Sequence, residues 1–234
     1  MIEKILPSGV AVAEAFSDPP EAVLLPEEAA LARGFVAKRR NEFTTVRHCA
    51  RQALGSLGFA PVPILKGERG APIWPGEVAG SLTHCNGYRA AAVARATELA
   101  SVGIDAEENA PLPEGVHESI ALAAERWRGR VLELEQPGIH WDRLLFCAKE
   151  AVYKTWFPLT RRWLGFEEAD IELRPDGGFT AELLTTDLRT ADGAAGPAVP
   201  RRLHGRWLCG RGLLLTAVTV AAAVDPVREG SRTL

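Results

Sequence analysis

The chain of 234 residues sets 27 Lys and Arg against 30 Asp and Glu, a formal net charge of −3, with 47% hydrophobic and 24% charged residues. These values fit a globular protein with a full core, as one large domain or two small ones. They exclude a collagen-like tract and a chain that binds polyanions through its overall charge. Cys49, Cys85, Cys147 and Cys209 form no Cys-x-x-Cys pair and no zinc pattern, so free thiols in a reducing cytoplasm are expected. The start, MIEKILPSGVAVAEAF, lacks the features of a signal peptide, and no apolar run reaches the ~18 residues that span a bilayer. A cytoplasmic protein with no membrane partner is expected.

In chain order, GVAVAEAF (9–16) predicts a strand, and PEEAALARGFVAKRRNEFTTVRHCARQALGSLG (26–58) one long helix or two broken ones, opened by Pro26 and early glutamates. A Pro/Gly-rich loop covers 60–77. VAGSLTHC and YRAAAVARA then form a hairpin about Asn86–Gly87, a turn dipeptide suited to two-residue hairpin loops. LASVGIDAEE (99–108) predicts a strand, 114–130 one helix, and Trp141–Phe157 another that Pro158 stops. Strands follow at 169–174, 179–184 and in the hairpin RLHGRWLCGRGLLLTAVTVAA, with a flexible loop at 190–200 and a frayed tail after Asp225. Helices interleaved with antiparallel hairpins predict an α+β fold. The two hairpins echo each other, which points to two similar halves, 1–110 and 111–234, packed as a pseudo-dimer about a cleft.

Strand alternation in VGIDAEE sends Val102, Ile104 and Ala106 to one face and Gly103, Asp105 and Glu107 to the other. Two carboxylates beside a glycine suit a hard divalent cation, although a solvated acidic strand has the same pattern. On the helix FCAKEAVYKTWFP, Phe146, Glu150, Tyr153 and Phe157 share a face. A carboxylate among aromatics is costly to desolvate without a cation. Lys154, at i+4, is its ordinary surface partner, whereas a metal shared with Asp105 and Glu107 accounts for the aromatic flanks as well. Arg33, Lys38, Arg39, Arg40, Arg47 and Arg51 face only Glu42 within 33–51, six minus one giving a local +5. KGERG (66–70) brings Lys66 and Arg69 between glycines whose N–H groups can approach an anion. His84, with Ser81 and Thr83, could donate to a phosphate, although a strand histidine is usually a satisfied core residue. The basic stretch lacks interleaved aromatics, and nucleic acid is not expected as a partner.

In this order, SLTHC (81–85), GIDAE (103–107) and FCAKEAVYK (146–154) resemble the signatures of the Sfp-type 4′-phosphopantetheinyl transferases. AKRRNEFTTVRHCAR, ILKGERGAPIWP and KTWFPLTRRWLGFEEA extend the likeness to the actinobacterial branch that serves polyketide, mycolate and non-ribosomal peptide assembly lines. The resemblance implies an enzyme that moves 4′-phosphopantetheine from coenzyme A to a serine of an acyl or peptidyl carrier protein, releasing adenosine 3′,5′-bisphosphate. It implies Mg²⁺, with Mn²⁺ as an alternative all-oxygen occupant, held by Asp105, Glu107 and Glu150 with help from the backbone of Ala106. Glu150 is implied as general base, directly or through water, with Asp105 and Lys154 beside it. Lys154 and Lys149 are implied to stabilise phosphate charge.

By the same resemblance His84, Arg39 and Arg47 hold the 3′-phosphate, and Lys66, Gly67, Glu68 and Arg69 flank the adenine end. Thr83 contacts a phosphate, while Phe146, Tyr153, Trp163 and Leu164 line the pantetheine slot. Ala106 departs from members with a larger or polar residue there, which leaves the number of protein ligands open. A monomer is expected, because both motif sets lie in one chain. The competing class is a protein that binds coenzyme A and carriers without turnover, against which all three acids and both lysines speak.

Overall fold

The computed structural model describes residues 1–191 and 199–223. Most of the loop expected at 190–200, and the tail after Asp225, lie outside the described residues. The architecture is mixed α and β. All described strand ladders are antiparallel, as the α+β expectation requires.

The first part comprises β1 (Ala11–Ala15), α1 (Pro26–Leu31), α2 (Ala37–Ser56), a two-residue pair β2 (Leu65–Lys66) and β3 (Pro72–Ile73), and the hairpin β4 (Val78–Cys85) and β5 (Tyr88–Arg95). Strand order is β1-β5-β4. Gly87 sits at φ 72° in the hairpin turn, where a Cβ would be strained. The region 26–58 resolves as two helices. Glu28 accepts from the N–H of Leu25 and starts α1, while extended backbone at Val36 starts α2. The loop expected at 60–77 contains the β2–β3 pair.

The second part begins with β6 (Leu99–Glu108), then α3 (Val116–Ile120), α4 (Ala123–Glu135), α5 (Trp141–Thr160), β7 (Ala169–Leu173), β8 (Gly178–Leu183), β9 (Arg202–Gly210) and β10 (Leu213–Ala221). Its sheet runs β6-β10-β9-β8-β7. Strand β6, the last strand of the expected first half, is thus laddered to β10, with Asp105 opposite Thr216.

Two expectations are corrected. The single helix at 114–130 is two, because the Glu125 carboxylate turns back to the N–H of Leu122 at 2.7 Å and nucleates α4 afresh. Pro158 does not stop α5. A proline this near the C-terminal end gives up one N–H bond and crowds one carbonyl in the preceding turn, and the helix continues to Thr160. Arg161 ends it in the left-handed conformation, φ 57°, its N–H on the Phe157 carbonyl at 2.8 Å. Among the described residues no helix is long and apolar enough to cross a membrane, and all four cysteines are free thiols.

The expected alternation of β6 holds. Val102, Ile104 and Ala106 enter an apolar cluster with Ile2, Tyr88, Leu215 and Ala217. The opposite face meets α5, whose Leu144, Ala148, Ala151, Val152 and Trp156 pack into the larger core over the five-stranded sheet. Contact is closest at Gly103, where an added Cβ would lie 2.1 Å from the Ala151 carbonyl oxygen and 2.3 Å from Thr155 Oγ1. Ser101 Oγ donates to the Thr155 carbonyl at 2.8 Å and locks the same crossing.

Helix backbone cannot yield as a flexible side chain can. Gly103→Ala is therefore expected to cost about 3 kcal/mol, the upper end for an overpacked core. That corresponds to a fall of roughly 6–12 °C in Tm; an unchanged melting curve refutes the close approach.

Candidate functional site

A cleft of about 660 Å³ opens between the two parts of the fold. Its walls include Arg39, Arg47, Lys66, Gly67 and Arg69 from the first part, Thr83 and His84 on β4, and Glu150, Tyr153 and Lys154 on α5. Residues far apart in the chain, picked out from separate motifs, therefore share one volume of a size usual for cofactor sites.

The local +5 of 33–51 is divided by the fold. Arg51 is spent on the fully buried Glu28, donating to both carboxylate oxygens at 2.8 and 2.7 Å, and Arg40 donates to the Ala32 carbonyl. Only Arg39 and Arg47 of the six line the cleft. Arg47 is buried, donates through Nε to the Ile64 carbonyl at 3.0 Å and lies 3.3 Å over the Phe43 ring. Lys66 stands over Phe35 and Phe43 at 5.1 and 5.5 Å. Arg39 donates from Nη1 to His84 Nε2, and Glu42 lies 3.4 Å from Arg39 and 3.7 Å from His84 Nδ1. Burial, then the charge of Arg39, lowers the His84 pKa to about 4. At neutral pH the ring is uncharged and accepts from Arg39.

On α5, Lys154 spends three donors across the seam between the sheets. Its Nζ reaches the carbonyls of Leu82 on β4 and Ile104 on β6 at 3.3 and 3.2 Å, and Asp105 Oδ1 at 2.7 Å. Burial works against that charge, but Asp105 and then Glu150 outweigh it and hold the pKa above its usual value. Thr83 Oγ1 donates to the same Asp105 oxygen at 3.2 Å, so its hydroxyl is engaged with the acid. Asp105 Oδ2 is buried and has no partner among the described residues. Glu150 makes no hydrogen bond or ion pair with the described residues, and burial followed by the charge of Asp105 raises its pKa. Glu107 is raised by the same two causes, opposed by Arg143, whose Nη1 lies 3.0 Å from Oε2.

Among the described residues no three His, Cys, Asp or Glu side chains form a ready-made metal cage. Asp105, Ala106 and Glu107 line neither cavity, but the oxygen donors suit a hard cation by type. One Asp105 oxygen is orphaned, and both glutamates are pushed toward protonation by burial and by Asp105, strains that a divalent cation relieves.

Lys149 departs from expectation. Its side chain is 2% exposed and paired with Glu125 at 2.9 Å, and it also donates to the carbonyls of Phe166 and Ala169, both at 2.7 Å. Lys154 is equally fully partnered but 28% exposed on the cleft, whereas the ammonium of Lys149 is held inside the fold. Tyr153, Trp163 and Leu164 line a second cavity of about 180 Å³ beside Glu150 and Lys149. The Tyr153 and Trp163 rings meet at 5.0 Å between centroids, tilted by 57°, and Arg69 lies 5.5 Å over the Trp163 ring. Phe146 packs on Phe166 at 6.0 Å and lines neither cavity. Glu68 is likewise absent from both linings.

Two residues escaped the sequence-level search. Arg161 lines the cleft from the left-handed end of α5, a position no periodicity marks. Arg143 sits seven residues before Glu150, two turns back on the same face; that spacing was a usable signal.

Arginines, lysines and a carboxylate of raised pKa on one cleft suit chemistry on a phosphorylated substrate. The chain belongs to the 4′-phosphopantetheinyl transferase superfamily, whose family model matches residues 101–196, and the model for the 4′-phosphopantetheinyl transferase N-terminal domain matches 27–94. It is 51% identical to 4′-phosphopantetheinyl transferase PptT of Mycobacterium tuberculosis, over 94% of this chain and 98% of that one. It is 50% identical to Svp of Streptomyces mobaraensis, over 99% and 94%, and 51% identical to Npt of Nocardia iowensis, over 94% and 100%. Both relatives carry the same enzyme name.

Removing a partner from a buried ion pair costs about 3–5 kcal/mol. Lys149→Met is expected to lose that much in urea unfolding, while kcat per folded molecule falls far less than in Lys154→Met. Equal loss of kcat in the two variants overturns the assignment. His84 gives a second check. Its folded pKa, about 4, lies below the ordinary 6.5, so between these values the unfolded chain binds the extra proton and stability falls as pH drops. The urea midpoint should decline from pH 6.5 to 4.5, and His84→Gln should flatten that decline; an equally steep variant refutes the neutral ring.

Proposed function

We propose that the cleft binds coenzyme A along its basic wall and delivers 4′-phosphopantetheine to the serine of an acyl or peptidyl carrier protein. What carries this reading is Glu150. Its carboxylate lacks a partner among the described residues and faces the volume lined by Arg39, Arg47, Lys66 and His84. An unpartnered carboxylate beside a group of cations suits attack of a hydroxyl on a phosphoryl centre.

The serine oxygen bonds to the β-phosphorus, and its proton passes to Glu150, directly or through water. The bond from that phosphorus to the bridging oxygen breaks, and adenosine 3′,5′-bisphosphate leaves with the bonding pair. Lys154 offsets charge beside the reacting phosphate and keeps Asp105 oriented. Arg39, Arg47 and His84 anchor the 3′-phosphate, and Lys66 with Arg69 flanks the adenine end. Tyr153, Trp163 and Leu164 give the arm an apolar wall. Asp105, Glu107 and Glu150, with the backbone of Ala106, would hold Mg²⁺ or Mn²⁺, which neutralises charge on the diphosphate.

Carrier domains of polyketide, fatty or mycolic acid and non-ribosomal peptide synthases are the proposed partners, in the cytoplasm, with one chain sufficient for the site. In each half, one 20-residue helix, α2 or α5, lies on a sheet, which supports a pseudo-dimer of 1–110 and 111–234 in which β6 of the first half ladders to β10 of the second.

Incubation with coenzyme A, Mg²⁺ and an apo carrier domain should add one phosphopantetheine by mass spectrometry, and EDTA should abolish the addition. Glu150→Gln should lower kcat by about 10²–10⁴. Turnover unchanged by that variant removes the base, and activity surviving thorough chelation removes the metal.

A further inference from the structure

We propose that Arg143, on the first turn of α5, is a positioning residue that presents Glu107 to the cation; this rests on the metal reading above. Its guanidinium is used on all sides. Nη1 meets Glu107 Oε2 at 3.0 Å, Nε donates to the Ala110 carbonyl at 3.2 Å, and Nη2 donates to the Pro111 carbonyl at 2.8 Å. A planar fork held at three points has little freedom to swing. It engages Oε2 alone, while Oε1 accepts nothing from the described residues. Glu107 is thus pinned by one oxygen with the other free, although Asp105, two residues back on the same face, repels it. Without the guanidinium, that repulsion would turn the carboxylate away from its neighbour.

The frame around this contact does not depend on it. Asn109 Nδ2 donates to the Gly138 carbonyl at 2.9 Å, Asn109 Oδ1 accepts from the His140 N–H at 3.0 Å, and Asp142 Oδ2 accepts from the Leu112 N–H at 2.9 Å. Three bonds therefore tie the exit of β6 to the start of α5 without Arg143. Arg143 adds its own bonds to the Ala110 and Pro111 carbonyls, and it orients one acid within a frame that keeps these three other ties.

The test is a Mn²⁺ titration of the full chain with coenzyme A present, following free Mn²⁺ by electron paramagnetic resonance, alongside urea unfolding and kcat against Mg²⁺ concentration. Partners that orient metal ligands typically contribute 10–100-fold to affinity. Arg143→Ala should bind Mn²⁺ about tenfold more weakly, with kcat restored toward wild type at high Mg²⁺ and the unfolding midpoint little changed. Arg143→Lys should fall between, since an ammonium can reach Glu107 but cannot span both carbonyls as well. If Arg143→Ala does not fold, Arg143→Gln, which keeps amide donors for the loop carbonyls, must show the same weakening. Unchanged or tighter Mn²⁺ binding in these variants, with a wild type that binds, overturns this inference alone. A wild type that binds no Mn²⁺ overturns the metal reading and this inference with it.

Discussion

Helix α5 rests on β6 with no space for a single carbon at Gly103, and the chemistry of the cleft depends on that contact. Because the backbone of Ala151 and the hydroxyl of Thr155 occupy the place of a Cβ, the helix lies low enough for Lys154 to reach carbonyls on both β4 and β6 as well as Asp105. A helix lifted by one side-chain layer would leave that ammonium short of all three. At its other end the helix is tied to the exit of β6 through Asn109, Asp142 and Arg143. The acids lie between two fixed points.

The fold assigns charge by accessibility as much as by sign. Of two lysines in one motif, five residues apart, one is sealed against Glu125 at 2% exposure and one fronts the cleft at 28%. Of the cations gathered in 33–51, one closes a buried pair with Glu28, one caps a carbonyl, and two face the cleft. The same chemistry is structural or functional according to what already meets it.

This also decides what the sequence could disclose. The β4–β5 hairpin and the alternation of β6 were legible because strand period and turn residues are local signals, whereas the convergence of the basic wall with Glu150 was legible only through the order of the family's motifs. Lys149 was not, because its partner Glu125 lies 24 residues upstream and local patterning cannot pair them. The same buried Glu125 divided the helix expected at 114–130, by capping Leu122. Pro158 misled for a related reason: it removes one donor, but the helix ends only where Arg161 turns left-handed. The ladder between β6 and β10 joins segments about a hundred residues apart, and such pairings leave little trace in a single chain.

Lys154 joins Leu82 to Ile104 while touching Asp105, so the ammonium that fronts the cleft also fastens the seam between the sheets. Decay of this enzyme into a folded but silent relative is therefore penalised at that position. A substitution that removes the ammonium also loosens a seam that Ser81 and Thr83 of β4 hold as well.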